Sequence, residues 1–235
     1  MTPAQTFKRQ IYIAWLVLAI SSAPLWARSG ISSPALGARF EPENLADTID
    51  RLVRYHDYGE YDYQIREVAN SAREYLSARV KEKRQGEKPA AVFDIDDTAL
   101  SNWRNMLDCG FCSYSAQLGL YPPPADDPPI VPVLELYKFA KENGIADFFI
   151  TGRQEKQRAA TEKNLADAGY PRWEDLLMQS NGNTDPASVF KPRNRQQIEA
   201  KGYHIVLNIG DQASDLTGCC AERVFKLPNP FYLIK

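Results

Sequence analysis

Five aspartates stand in two short stretches that could share one reaction. Asp94, Asp96 and Asp97 fall in AAVFDIDD, and Asp211 and Asp215 in YHIVLNIGDQASD. Thr151 closes IADFFITG, and Lys191 lies in VFKPRN. Asp94 and Asp96 are two residues apart, so an extended chain end points both to one side. Close carboxylates repel unless a cation or a shared proton intervenes. With Asp211 added, the set calls for a hard divalent metal. Magnesium suits it, because it takes few protein oxygens and keeps water or phosphate oxygens in the rest of its shell. A metal, a lysine and a hydroxyl converging on one point describe a phosphoryl-transfer site.

Other hydrolytic chemistries lack their parts. The chain has only two histidines, His56 and His204, and no phosphohistidine motif. His204 alternates with apolar residues near the start of a strand, which reads as structural. No cysteine is followed by arginine at the spacing of a cysteine-phosphatase loop, and no GxxxxGK[ST] loop occurs. The formal net charge of -2 offers no nucleic-acid-binding surface.

Positioning these groups takes a scaffold, and the 235 residues, 44% of them hydrophobic, suffice for one domain with a sizeable core. AAVFDID, IADFFITG, DLLMQS, YHIVLNIGD and RVFKLP read as strands. Helical stretches lie between them: Val133 to Asn143, Gln154 to Ala168 and Arg193 to Lys201, with Lys191 in the polar approach to the last. Strands alternating with helices imply a mostly parallel, Rossmann-like sheet in a three-layer α/β/α sandwich. In such sheets ligands bind at the carboxyl ends of the strands, where the aspartates stand. Ile65, Val68, Ala72, Leu76 and Val80 predict a helix before the first strand, so residues 28–88 form a helical segment packed on a core spanning 89–235. The tyrosine-rich YHDYGEYDY reads as a loop ahead of that helix. Residues 101–132, proline-rich and without periodicity, read as an active-site flap inserted after the first strand. Within it Asn102 and Trp103 are equally suited to line a leaving-group pocket or to pack the flap. Asp97 reads as a loop carboxylate and Thr98 as a turn brace. Arg153 reads as an ion-pair or surface group that could reach phosphate.

Residues 1–27 differ from the rest. Lys8 and Arg9 precede the apolar run IYIAWLVLAI, and small residues lead to Ala27 without any acidic residue. This is the pattern of a secretory signal peptide, and the run is short for a membrane span. The expectation is an exported protein, periplasmic or secreted, without stable membrane association after cleavage. Export makes Cys109, Cys112, Cys219 and Cys220 candidates for disulfides, with three pairings open. Their spacing suits a zinc site poorly.

FDIDDTALSN, FFITGR, the lysine of VFKPRN and NIGDQASDL together resemble the four motifs of the haloacid dehalogenase (HAD) superfamily. Asp211 and Asp215 are similar to the signature of its four-aspartate acid phosphatases. The tail TGCCAERVFKLPNPFYLI and the segment VPVLELYKFAKENGIADFFITGR resemble the class B/subclass IIIB type, which includes plant vegetative-storage-protein-like and bacterial secreted enzymes. The resemblance covers residues 40–235. It implies an acid phosphatase acting on small phosphomonoesters, with Asp94 as nucleophile and Asp96 as general acid and base. Thr151 and Lys191 would bind phosphate. Mg2+ would be held by Asp94, the main chain of Asp96 and Asp211, with Asp215 orienting metal waters or fixing Lys191. Two rivals accompany it: a nucleotide-selective phosphatase or phosphotransferase on the same site, and a storage or binding protein on the same fold. Some storage relatives lack the nucleophilic aspartate, which this chain retains. Homo-oligomerisation is left open.

Overall fold

A computed structural model describes residues 41–82, 85–112 and 126–234. The signal-peptide reading of residues 1–27 and the middle of the expected flap, 113–125, lie outside them. From Asn44 onward the described residues form one compact unit.

Two helices come first, α1 (Leu45–Asp57) and α2 (Glu60–Lys81). Asn44 caps α1 by accepting the amide of Ala46 at 2.9 Å. The tyrosine-rich stretch is therefore the junction of two helices, not a loop; Gly59, with φ of 84°, makes the turn between them. Helix α2 buries Tyr61, Ile65, Ala69, Ala72 and Leu76 at helical spacing.

Five strands follow: β1 (Pro89–Phe93), β2 (Ala146–Gln154), β3 (Asp175–Gln179), β4 (His204–Gly210) and β5 (Arg223–Lys226). They form one parallel sheet in the order β3-β2-β1-β4-β5. Between them run α3 (Trp103–Asp108), α4 (Val131–Glu142), a 3-10 turn (Glu155–Gln157) leading into α5 (Arg158–Asp167), α6 (Ala187–Ala200) and α7 (Ala213–Leu216). Alternation along β1 divides the core. Ala91 and Phe93 join α2, α4 and Leu165 of α5 in the larger cluster, whereas Ala90 and Val92 meet Phe190 and Ile198 of α6 in the smaller. Each fully buried large apolar side chain contributes roughly 1.5–3 kcal/mol. The three-layer reading is the observed architecture.

Two further details differ from expectation. Helix α6 begins at Ala187, six residues before Arg193, and runs through Pro192, so Lys191 sits within it. Burial of Phe190, Lys191, Asn194 and Arg195 outweighs the proline's missing N–H. Pro192 also explains Gly218: at φ of 94°, a Cβ there would lie 2.9 Å from the proline ring. The expected flap is not wholly irregular, since α3 opens it. Both disulfides, Cys109–Cys112 and Cys219–Cys220, close loops within their own segments and join no distant parts.

Candidate active site

β1 and β4 are neighbours, and the chain leaves the sheet from β1 towards β2 on one side and from β4 towards β5 on the other. Their carboxyl ends form the crevice of an open α/β sheet. Asp94 follows β1, its amide donating to the carbonyl of Ile209 at 3.0 Å. Asp211 follows β4, and Asp215 lies one turn on in α7. Gly210 permits this approach, because a Cβ there would sit 2.5 Å from the Asp215 side chain. One oxygen from each of Asp94, Asp211 and Asp215 falls within 4.8 Å of the others. A cavity of about 200 Å3 opens above them, lined also by Asp96, Lys191 and Gly152.

Lys191 reaches in from α6 and donates to Asp94 at 2.5 Å and to Asp215 at 2.6 Å. Asp215 thus forms a buried ion pair with Lys191. Its other oxygen accepts the amide of Gln212 at 2.8 Å, while Arg195 and Asn208 hold its carbonyl. Thr98 does more than brace a turn. Its hydroxyl lies 3.3 Å from Asp94 Oδ2 and 3.2 Å from Asp211 Oδ1, between the carboxylates. Asp97, at φ of 51°, accepts the amide of Asn102, in keeping with a loop role.

The Asp96 side chain turns to a different set of partners. Arg153, 1% exposed, donates to it from Nε at 3.2 Å and from a terminal nitrogen at 2.7 Å, and Asn102 adds 3.1 Å. Behind Arg153 stands the buried Asp127, 3.6 Å away, which Asn105 of α3 also engages. Arg153 is therefore an ion-pair group inside the site. Thr151 is fully buried, and its hydroxyl accepts the Arg153 amide at 3.0 Å; Gly152 rather than Thr151 lines the cavity. Trp103 also stays off the cavity wall, stacking on His56 at 3.8 Å and against Phe231.

The C-terminal tail contributes groups that sequence reasoning missed. Asn229 and Gln212 each donate to Asp211 Oδ2 at 2.6 Å, and Gln212 also accepts the amide of Ile234. Tyr232 and Ile234 line the cavity. The one available signal was a polar residue, Asn229, set among apolar and proline residues just beyond the last strand.

Burial governs the electrostatics. It pushes Asp94 well above the usual carboxylate range; Lys191 opposes this, while Asp215, Asp211 and Asp96 reinforce it. Asp211 is pushed up to about 7 by burial, then by Asp215 and Asp97. Burial alone would lower Lys191, but Asp215 and Asp94 override it and raise the lysine. One lysine among this many carboxylates leaves negative charge uncompensated. An all-oxygen donor set of this kind fits a hard divalent cation.

A family model for the HAD superfamily, subfamily IIIB (acid phosphatase), matches residues 33–235. The chain belongs to that acid phosphatase family. The activity of the family is phosphomonoester hydrolysis. Among curated relatives, acid phosphatase 1 of Solanum lycopersicum is 32% identical over 82% of the chain and 76% of the relative. Vegetative storage protein 1 of Arabidopsis thaliana is 35% identical over 61% of the chain, a stretch that spans about half of the relative (54%). In fold, the chain is similar to a class C acid phosphatase from Bacillus anthracis, with a TM-score of 0.67 and 23% identity, covering 80% of this chain and 86% of the other.

Proposed function

We propose that the chain is an exported, Mg2+-dependent acid phosphatase that hydrolyses phosphomonoesters through an aspartyl-phosphate on Asp94. The observation that carries this reading is the setting of Asp94. Its carboxylate faces the cavity with Lys191 on one oxygen, and with Thr98 and Asp211 beside the other.

Asp94 attacks phosphorus as the ester P–O bond breaks, and Asp96 gives its proton to the departing alkoxide. Asp96 then removes a proton from the water that attacks the phosphoryl-aspartate, which releases phosphate and restores Asp94. Lys191 offsets charge on the phosphoryl oxygens, held in place by Asp215. The Gly152 backbone completes the phosphate cradle, and the Thr151 hydroxyl supports that turn from beneath by accepting the Arg153 amide. Asp94, Asp211 and the main-chain carbonyl of Asp96 would hold Mg2+, which when bound neutralises the carboxylates and draws charge off the phosphoryl group. Because Asp96 must carry a proton for leaving-group departure, the optimum falls on the acid side of neutrality.

Export rests on the basic, apolar and small-residue order of residues 1–27; among the described residues no helix is long and apolar enough to cross a membrane. The mature N-terminus of protein recovered from the exported fraction tests that part. The catalytic part is tested by p-nitrophenyl phosphate hydrolysis with Mg2+ and with excess chelator. Reversible silencing by chelation is expected, and full activity in chelator refutes metal dependence.

A further inference from the structure

The cavity has two ends of different character. The inner end holds the phosphoryl machinery. The rest of the lining includes Gln179, Asp185, Phe190, Tyr232 and Ile234, of which Asp185, Tyr232 and Ile234 are part-exposed and form its outer wall. Its charges are one-sided. Lys191 is the one basic residue among the described residues lining the cavity, and both Asp94 and Asp215 already engage it. On the outer wall the charged group is Asp185. The loop holds it firmly: Asn183 accepts its amide at 2.9 Å, Gln179 donates to its carbonyl at 2.8 Å, and Pro186 follows as the cap of α6. Arg193, 3.1 Å from the Asp185 carboxylate, lies off the lining and offsets part of the Asp185 charge across a half-exposed ion pair.

We propose that this outer wall selects phosphomonoesters whose alcohol part is neutral or cationic, and that Asp185 sets the preference. The proposal rests on the phosphatase reading above and specifies its substrate class. A carboxylate or second phosphate next to the ester would be held beside Asp185 with no lining cation among the described residues to receive it. Aromatic and aliphatic groups find Phe190, Tyr232 and Ile234, and a hydroxyl or ammonium finds Gln179 and Asp185. The carboxylate is partly open to water, so the discrimination is moderate and screened by salt.

Three esters of matched size separate charge from shape: ethyl phosphate, phosphoethanolamine and phosphoglycolate. With Mg2+ present, kcat/KM for phosphoglycolate should fall about tenfold below that for ethyl phosphate. Phosphoethanolamine should equal or exceed ethyl phosphate. The ratio of ethyl phosphate to phosphoglycolate should shrink severalfold in Asp185→Asn and in high salt. Asp185→Ser gives the same readout if the first variant does not fold, and the ratios of the parent protein already test the preference. Phosphoglycolate matching ethyl phosphate in the parent overturns the proposal. An unchanged ratio in a folded Asp185 variant overturns the role of Asp185. Absence of p-nitrophenyl phosphate hydrolysis in the same assay would instead remove the function on which the preference rests.

Discussion

Strand β4 carries an acidic cluster at each end, and the two are neutralised in different ways. At its start, His204, Glu87 and Glu222 draw together. Arg79 of α2 sits among them, bonded to Glu87 and to Glu222 at 2.8 Å, with Tyr75 and His204 completing the shell of Glu222. Although burial opposes it, Arg79, His204 and Tyr75 hold Glu222 down at about 2. At the far end, Asp94 and Asp215 share Lys191 while neutral Gln212 and Asn229 hold Asp211, and burial leaves Asp94 and Asp211 raised. The first cluster has a guanidinium built into the fold and staples α2 to the sheet. The second leaves its carboxylates short of positive charge, which a divalent cation would supply. Permanent neutralisation serves stability, and partial neutralisation leaves room for chemistry.

Substitution separates the two. Asp94→Asn should cut phosphatase activity by roughly a thousandfold or more, because an amide cannot form the acyl-phosphate. Its thermal stability should stay level or rise, since one buried like charge is gone. Kinetics on p-nitrophenyl phosphate and a melting curve check both halves, and substantial residual turnover would sink the covalent mechanism. Asp211→Asn should leave folding intact while raising the Mg2+ concentration needed for half-maximal rate by about tenfold or more. Arg79→Met should do the reverse, lowering unfolding stability by about 2 kcal/mol by stranding Glu87 and Glu222, with kcat close to that of the parent. A large kcat loss in this variant, without unfolding, would break the division between the two ends.

Arg153 crosses that division, being a built-in guanidinium inside the catalytic end. It grips Asp96 and not a metal ligand oxygen, so its effect should depend on how much help the leaving group needs. Arg153→Lys keeps the charge but loses the two-nitrogen grip. We expect its loss on an alkyl ester to exceed its loss on an activated aryl ester by about tenfold. Equal losses on both esters would make Arg153 a general structural support instead.

The strands were legible because a parallel sheet covered on both faces demands near-continuous apolar runs, and PAAVF and HIVLNIG supply them. Asp94, Asp211 and Lys191 were legible for a related reason, as polar groups placed where those runs stop or where a helix faces them. The start of α6 was not, because its first turns are mixed and Pro192 signals a break that only tertiary burial overrides. The grip of Arg153 on Asp96, the bridging hydroxyl of Thr98 and the support of Asp211 by Asn229 were also hidden. Each depends on how separate segments meet, and neither periodicity nor local spacing records that.

Asp147 extends the comparison to a carboxylate with no cation of its own. It lies in β2, 2% exposed, and neither side-chain oxygen has a hydrogen-bond partner among the described residues. Burial pushes it up to about 8, with Lys141 opposing. The folded state therefore prefers the protonated acid, whereas the unfolded chain ionises near 4. Between those values folding binds a proton, so this group's contribution is complete below pH 4 and is lost as pH rises towards 8. Asp147→Asn removes that dependence, because an amide does not ionise. The difference in melting temperature between variant and parent should move in the variant's favour from pH 5 to pH 8, by an amount equivalent to about 1 kcal/mol or more. The raised carboxylates of the catalytic end are common to both proteins and cancel in that difference. A difference that stays flat across the range would mean that Asp147 is ionised and solvated in the folded protein, a third way to hold a carboxylate.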